Sequence, residues 1–279
     1  MEDSGFKSSR VLIAGLGLIG GSAAKALRAA GFSQVDGLDS DWKTLAQAKR
    51  DGAIRAGYAE LQAGDYDLVL CCVPPESVAA LYEQTKPHLK PGGVFAELTG
   101  LKEPVIASLL PLLDARHELL CLHPMAGREK SGYENSDAAV FLGSVMILTP
   151  TIRTEHSALA WAVVLKDAFG CDDMPSLRAD RHDEIVARVS HLPHLAALAV
   201  REAAAGCERY AGGSYKSVTR VAEINAALWA GLLTENAEYV VESIGRCQQA
   251  LETLRDAVEA RNAPALRKLL EKMSKGGKP

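Results

Sequence analysis

The 279-residue chain has no basic cluster, no C-x-x-C pair, no internal repeat, no low-complexity segment and no uninterrupted apolar run of membrane-spanning length. Each absence removes a class. With a formal net charge of −4 and no basic patch, nucleic acid is not expected as a partner, because phosphate recognition needs clustered Lys and Arg. A spanning helix needs about 20 consecutive apolar residues, so no membrane partner is expected. The six cysteines stand at 71, 72, 121, 171, 207 and 247. They match neither a zinc spacing nor a disulfide framework, and several sit in apolar runs. Reduced thiols in a cytoplasmic protein fit that distribution, and no metal is expected. Residues 11–30 resemble the apolar core of a signal peptide, but their glycine spacing and the acidic leader (Glu2, Asp3) oppose that reading.

What is present suffices for a core. Hydrophobic residues make up 48% of the chain, which at this length supports one large domain or two, with disorder expected only at the ends and fraying at 274–279. The chain is organised around residues 11–22, VLIAGLGLIGGS. Residues 11–14 suit a buried parallel strand. Gly15, Gly17 and Gly20 then give G-x-G-x-x-G: a tight turn, a close backbone approach to a pyrophosphate, and close helix–strand packing. Leu18 and Ile19 open the following helix, whose N-terminal N–H groups favour a phosphate. A second apolar stretch, 35–38, ends at Asp39, where a ribose-binding acid is expected; a turn residue or helix cap is the plainer alternative. Asp36 and Asp41 add negative charge that would repel a 2′-phosphate, so NAD is favoured over NADP.

Further strands read at 67–73, 94–98, 119–122 and 144–148, and helices at 18–30, 42–50, 76–84, 105–113 and 159–169. This alternation predicts an α/β fold, a Rossmann-type doubly wound parallel sheet. Val73 and Pro74 would lie at its carboxyl edge beside the cofactor. From residue 179 everything reads helical, which divides the chain into a nucleotide-binding domain (1–174) and an all-α domain (175–279). Val240, Ile244, Cys247, Leu251, Leu254 and Val258 form a narrow apolar seam. Intrachain packing and a subunit interface both account for it.

Three constellations carry chemistry. His123, in H-P-M-A-G at 123–127 followed by Glu129, Lys130 and Ser131, sits just past a strand's carboxyl end, where an imidazole can accept a proton near neutral pH; a structural loop histidine is the plainer reading. In Ser190-His191-Leu192-Pro193-His194, the two histidines share a helix face, and Pro193 should bend the helix or free the carbonyl of Val189. No third ligand makes this a zinc site, and taken alone a kinked core helix with satisfied histidines is the favoured reading. Arg220, at the end of a glycine-rich loop, could clamp a carboxylate or simply be a surface arginine.

Together these pieces resemble the prephenate/arogenate dehydrogenase family of tyrosine biosynthesis. The matches are G-L-G-L-I-G-G-S at 15–22, H-P-M-A-G-x-E-K-S-G at 123–132, S-H-L-P-H at 190–194, T-R-x-A at 219–222 and Trp229. The resemblance implies NAD-dependent oxidative decarboxylation of prephenate to 4-hydroxyphenylpyruvate, and a homodimer formed by a helical dimerisation domain. It implies His123 as proton acceptor, His194 and His191 as orienting groups with Ser190 beside them, Arg220 on a substrate carboxylate, and Glu129 as a gate. Similar proteins often carry acidic-x-x-Ser-x-Lys before the catalytic histidine. Here Glu97 to Lys102 reads E-L-T-G-L-K, with Gly100 in place of serine, and Thr99 is the candidate substitute. Arogenate, or both substrates, is the near alternative. An imine or 3-hydroxy-acid reductase, or a non-catalytic NAD sensor, is more distant. If His123 titrates near its reference pKa of about 6.5, activity should fall on acidification through that range.

Overall fold

The computed structural model describes residues 4–61, 64–128 and 130–276. Seven strands form one sheet: β1 Val11–Ala14, β2 Val35–Leu38, β3 Gly57–Tyr58, β4 Tyr66–Cys71, β5 Leu89–Glu97, β6 Glu118–Pro124 and β7 Met146–Thr149. Helices α1 Ser4–Lys7, α2 Leu18–Ala29, α3 Trp42–Arg50, α4 Val78–Thr85, α5 Glu103–Leu109 and α6 His156–Phe169 accompany it. The spatial order is β3-β2-β1-β4-β5-β6-β7. The direction of winding reverses between β1 and β4, the point where open α/β sheets bind ligands.

Because both faces are covered, each strand feeds two apolar layers by its period of two. Val11, Ile13, Leu68, Leu70, Leu120 and Leu122 pack with residues of α2 and α6 such as Leu27, Trp161 and Leu165. Leu12, Val69, Phe95, Leu119 and Cys121 pack on the other side with Tyr82, Val105 and Leu109 of α4 and α5. The two-residue strand β3 was not legible in the sequence. A second departure is β7, which runs antiparallel to β6. Among its described residues the connection between them contains only short 3₁₀ turns, Tyr133–Asn135 and Ala138–Phe141, and a parallel return would need a full crossover. After α6 the chain passes along the free edge of β7, where the Leu148 and Leu177 amides donate to the Pro175 and Leu148 carbonyls, and so covers it.

From there the structure is helical: α7 Ala179–Val186, α8 Leu192–Ala203, α9 Gly213–Thr219, α10 Ala226–Glu235, α11 Ala237–Glu259 and α12 Ala263–Lys275. Between α7 and α8 lies a π-helical turn, Ala187–His191, directly before Pro193. The missing proline N–H is the cause expected for such a local rewinding. On α11 the seam is covered at its start, where Val240 is buried, and bare toward its end, where Leu251 and Val258 are each 60% exposed. Among the described residues, no helix is long and apolar enough to cross a membrane, and all six cysteines are free thiols, with Cys207 exposed.

Candidate active site

The glycine loop is fixed by contacts at its two ends and open at its middle. Gly15 has φ +85°, and a Cβ there would lie 2.8 Å from the Cys72 carbonyl oxygen. A Cβ on Gly20 would fall 1.8 Å from the Gly15 oxygen, so any side chain would part α2 from β1. At Gly17 a Cβ meets nothing within 4 Å, and Gly17 caps α2 without a side-chain bond to the helix N–H groups. Open space beside free N–H groups at a helix N-terminus fits a pyrophosphate. Leu18 and Ile19 are half-buried in the first turn, with Ile19 packed on the core. Val73 reaches the turn, its Cγ1 lying 3.0 Å from the Gly15 Cβ position, and Pro74 is exposed next to it.

Asp39 follows β2 and accepts from the Leu16 amide at 2.7 Å and the Asp41 amide at 2.9 Å. It therefore braces the glycine loop. The cap of α3 is a different residue, Asp41, whose carboxylate accepts from the Lys43 and Thr44 amides and is held below the usual carboxylate range by those bonds. Asp36 does not add to the repulsion expected at the cofactor edge. It is buried, with Arg55 bound at 3.0 and 2.7 Å and the Tyr66 hydroxyl at 3.2 Å, so its charge is compensated inside the protein. The doubled glycine of the motif serves the segment after His123. A Cβ on Gly21 would strike Tyr133 and Ser136, the Ser22 hydroxyl accepts from the Asp137 amide at 3.0 Å, and Lys25 donates to the Ser136 carbonyl at 2.8 Å.

His123 lies in the last two residues of β6, on the face that carries Cys121. Its Nδ1 is 2.8 Å from His182 Nε2, and His182 Nδ1 is 2.6 Å from Asp183 Oδ1. His182 and Asp183 come from α7 and are buried. Asp183 also accepts from the Lys102 and Glu103 amides at 2.9 and 2.8 Å. It thus caps the N-terminus of α5, which has no side-chain cap of its own. Burial first, then the Lys102 charge, pushes the His123 pKa well below 6.5. Burial also lowers that of His182, against the pull of Asp183. Both imidazoles are therefore neutral near pH 7, and the expectation that His123 titrates near 6.5 does not hold for the free protein.

Beneath His123 lies a fully buried ion pair. Lys102 Nζ contacts Glu97 Oε1 at 2.6 Å and also donates to the Thr99 and Leu122 carbonyls at 2.9 and 2.8 Å. All three ammonium protons thereby have acceptors. Thr99 belongs to this network. Its hydroxyl contacts the Glu97 carboxylate and the Leu101 carbonyl, and the residue is 5% exposed. The expectation of Thr99 as a substrate group is thus corrected, because its oxygen faces the interior. At Gly100 a Cβ would meet only Leu232, at 3.7 Å, so the position has room for a small side chain.

His191 and His194 share a face, as their spacing predicts, and both rings contact Trp229, with centroids at 5.8 and 4.2 Å. His194 Nδ1 is 2.8 Å from the Ser190 carbonyl, so it donates there and leaves Nε2 as acceptor. His191 is buried, and burial brings its pKa down to about 4. Asn236 links it to the first cluster: its amide donates to the Asp183 carbonyl at 3.0 Å and lies 3.4 Å from His191 Nδ1. Arg220 is exposed in the turn Arg220–Ala222, which packs on α8. A groove of about 910 Å³ is lined by Lys130 and Ser131 after His123, Leu198 one turn after His194, and Ala222 just after Arg220. The groove joins sequence neighbours of three distant stretches, and His123, His194 and Arg220 are themselves not among its lining residues. Glu129 lies outside the described residues. Among the described residues, no group of three or more His, Cys, Asp or Glu is placed to hold a metal ion.

The model of the prephenate dehydrogenase nucleotide-binding domain matches residues 23–170, and that of the prephenate dehydrogenase dimerization domain matches 178–272. The chain belongs to the prephenate dehydrogenase family. It is 29% identical over 271 residues to a cyclohexadienyl dehydrogenase from Zymomonas mobilis, covering 92% of this chain and 90% of that one. It is 26% identical to the prephenate dehydrogenase of Bacillus subtilis, covering 92% of this chain and 72% of that one. The crystal structure of prephenate dehydrogenase from A. aeolicus, in complex with hydroxyphenyl propionate and NAD+, superposes with a TM-score of 0.86 at 26% identity, over 95% of this chain and 96% of the other. Within this prephenate dehydrogenase family member, His182, Asp183 and Asn236 are the site residues that sequence reasoning missed. The one signal was an adjacent His-Asp pair on the helical stretch that leads to His191.

Proposed function

We propose that the protein catalyses the NAD-dependent oxidative decarboxylation of prephenate to 4-hydroxyphenylpyruvate. The observation that carries the reading is His123: a neutral imidazole at the carboxyl end of β6, on the edge of the sheet where the glycine loop also lies, and backed by a buried hydrogen-bonded chain. The backbone of Gly15, Gly17, Leu18, Ile19 and Gly20 would hold the cofactor pyrophosphate, Asp39 the ribose hydroxyls, and Val73 and Pro74 would flank the ring end. NAD, when bound, supplies the hydride acceptor. His123 takes the proton from the ring hydroxyl, which is the base step that hydride loss from an alcohol carbon requires. Loss of carbon dioxide then aromatises the ring. His194 presents Nε2 as an orienting acceptor, with His191 and Ser190 shaping the wall around it. Arg220 pairs with a substrate carboxylate. The bare end of α11 and the half-exposed Leu270 of α12 are surfaces for a homodimer through the C-terminal helices.

Arogenate is the second reading, favoured by the Zymomonas relative's description as a cyclohexadienyl dehydrogenase. The two substrates differ by a keto or an amino group on the side chain. A side-by-side assay of prephenate and arogenate with NAD and with NADP tests both. Fastest turnover is expected for prephenate with NAD, and absence of turnover with either cyclohexadienyl acid overturns the proposal.

Two variants test the binding roles. Arg220→Ala should weaken substrate binding by about 1.5–3 kcal/mol, the scale of a charged hydrogen bond, read as a raised KM; unchanged KM and kcat/KM reject the pairing. Asp39→Ser removes the acid that binds ribose hydroxyls and excludes a 2′-phosphate. The ratio of kcat/KM for NADP over NAD should rise, and an unchanged ratio would leave Asp39 only its bracing bonds to Leu16 and Asp41.

A further inference from the structure

We infer that His182 and Asp183 are positioning residues that lock the His123 tautomer, so that its base is Nε2. The inference rests on the reading of His123 as the base, and the positions of the protons in the buried chain carry it. Two backbone amides and His182 Nδ1 converge on the Asp183 carboxylate, at 2.9, 2.8 and 2.6 Å. The amides can only donate, and the carboxylate can only accept. It is therefore fixed, and His182 must carry its hydrogen on Nδ1.

His182 Nε2 is then a lone pair. The 2.8 Å contact with His123 Nδ1 needs one hydrogen, which belongs to His123. That leaves the His123 lone pair on Nε2, the only nitrogen of the ring still able to take a proton. The alternative, a doubly protonated His182 donating to His123, would place a cation in a buried site beside Lys102. Burial and the Lys102 charge both oppose it. The charged and titratable groups around the two rings are Lys102, Glu97, Asp183 and His191, and none offers a second acceptor to His123 Nδ1.

The arrangement has a consequence for the reaction. When the substrate hydroxyl proton moves to His123 Nε2, the ring becomes a cation whose Nδ1–H is already bonded to a neutral acceptor. That acceptor is in turn backed by a carboxylate. The developing charge is met by groups that need no reorganisation. No other covalent change is required of His182 or Asp183. His182 touches neither cofactor nor substrate in this scheme and acts through His123.

The test is ¹⁵N NMR of the full-length protein labelled at histidine, with His123 assigned from the resonance lost in His123→Asn. Neutral His123 should show a protonated Nδ1 and an unprotonated Nε2. In His182→Leu the pattern should reverse or average, and kcat should fall about 10- to 100-fold, the scale of a hydrogen bond to a charged group, with KM for prephenate changed less than about 3-fold. His182→Gln, whose amide oxygen can still accept from Nδ1, should restore most of kcat and the original pattern. An Nε2-protonated His123 in the unmodified protein overturns the inference without any variant having to fold. So does a His182→Leu protein with an unchanged pattern and kcat. Failure of the base role itself is distinct: it appears as undiminished kcat in His123→Asn, whatever the tautomer.

Discussion

His123→Asn should lower kcat by roughly 10²–10⁴, the usual contribution of a positioned general base, while KM for prephenate and affinity for NAD stay near their original values. Asparagine sets an amide nitrogen close to the place of the His123 Nδ1 and can donate from it to His182 Nε2, so the buried chain to Asp183 keeps a partner. What is lost is an acceptor basic enough to take the hydroxyl proton. The prediction extends to pH. Only neutral imidazole accepts a proton, and kcat/KM reports the free enzyme. Burial and Lys102 hold the His123 pKa well below 6.5. The acid limb of kcat/KM should therefore lie below pH 6.5, with activity flat through neutrality on that side. An inflection at or above 6.5 that disappears in no variant other than His123→Asn would show that the cleft is far more solvated than the structure indicates. An unchanged kcat in His123→Asn removes it from the base role.

Lys102→Met should destabilise the protein by about 3–5 kcal/mol, the cost of breaking a buried pair from one side. Both partners are 0% exposed, so Glu97 would be left inside without its cation, and the carbonyls of Thr99 and Leu122 would each lose a donor. Chemical denaturation at fixed protein concentration reads the loss. Substituting Glu97→Leu in the same chain should recover much of it, because removing both charges is often close to neutral. A kinetic effect accompanies the structural one. Removing the ammonium beside His123 takes away a charge that disfavours its protonated form, so the His123 pKa rises and the acid limb of kcat/KM moves to higher pH. A stability loss below about 1 kcal/mol would mean that water reaches the pair.

Much of this was legible because it depends on local pattern. The glycine loop reads from sequence since each glycine answers a separate steric demand, and the contacts at Gly15 and Gly20 are those demands. The strands read from unbroken apolar runs, and His123 from its place at the end of one. The period of three that joins His191 to His194 survives the π-helical turn because that turn ends at His191. The remainder depends on tertiary convergence. His182 stands 59 residues from His123, and nothing in either neighbourhood announces the other. The inward turn of Thr99 follows from the Glu97–Lys102 pair, which the sequence offers only as two charges in an apolar segment. Asp36 reads as surface charge until Arg55 and Tyr66 close over it. The antiparallel β7 was hidden because a strand's apolar pattern carries no sign of its direction.

With substrate bound, His123 Nε2, Arg220 and the cofactor site should surround one small dianion. The most direct measurement is a crystal structure of the protein with NAD and a hydroxyphenyl-acid analogue of the substrate. The analogue's ring hydroxyl should lie within hydrogen-bond reach of His123 Nε2, about 2.6–3.2 Å, with its carboxylate on Arg220. An analogue bound with its hydroxyl turned away from His123, or seated outside the groove between Lys130 and Ala222, would contradict that placement.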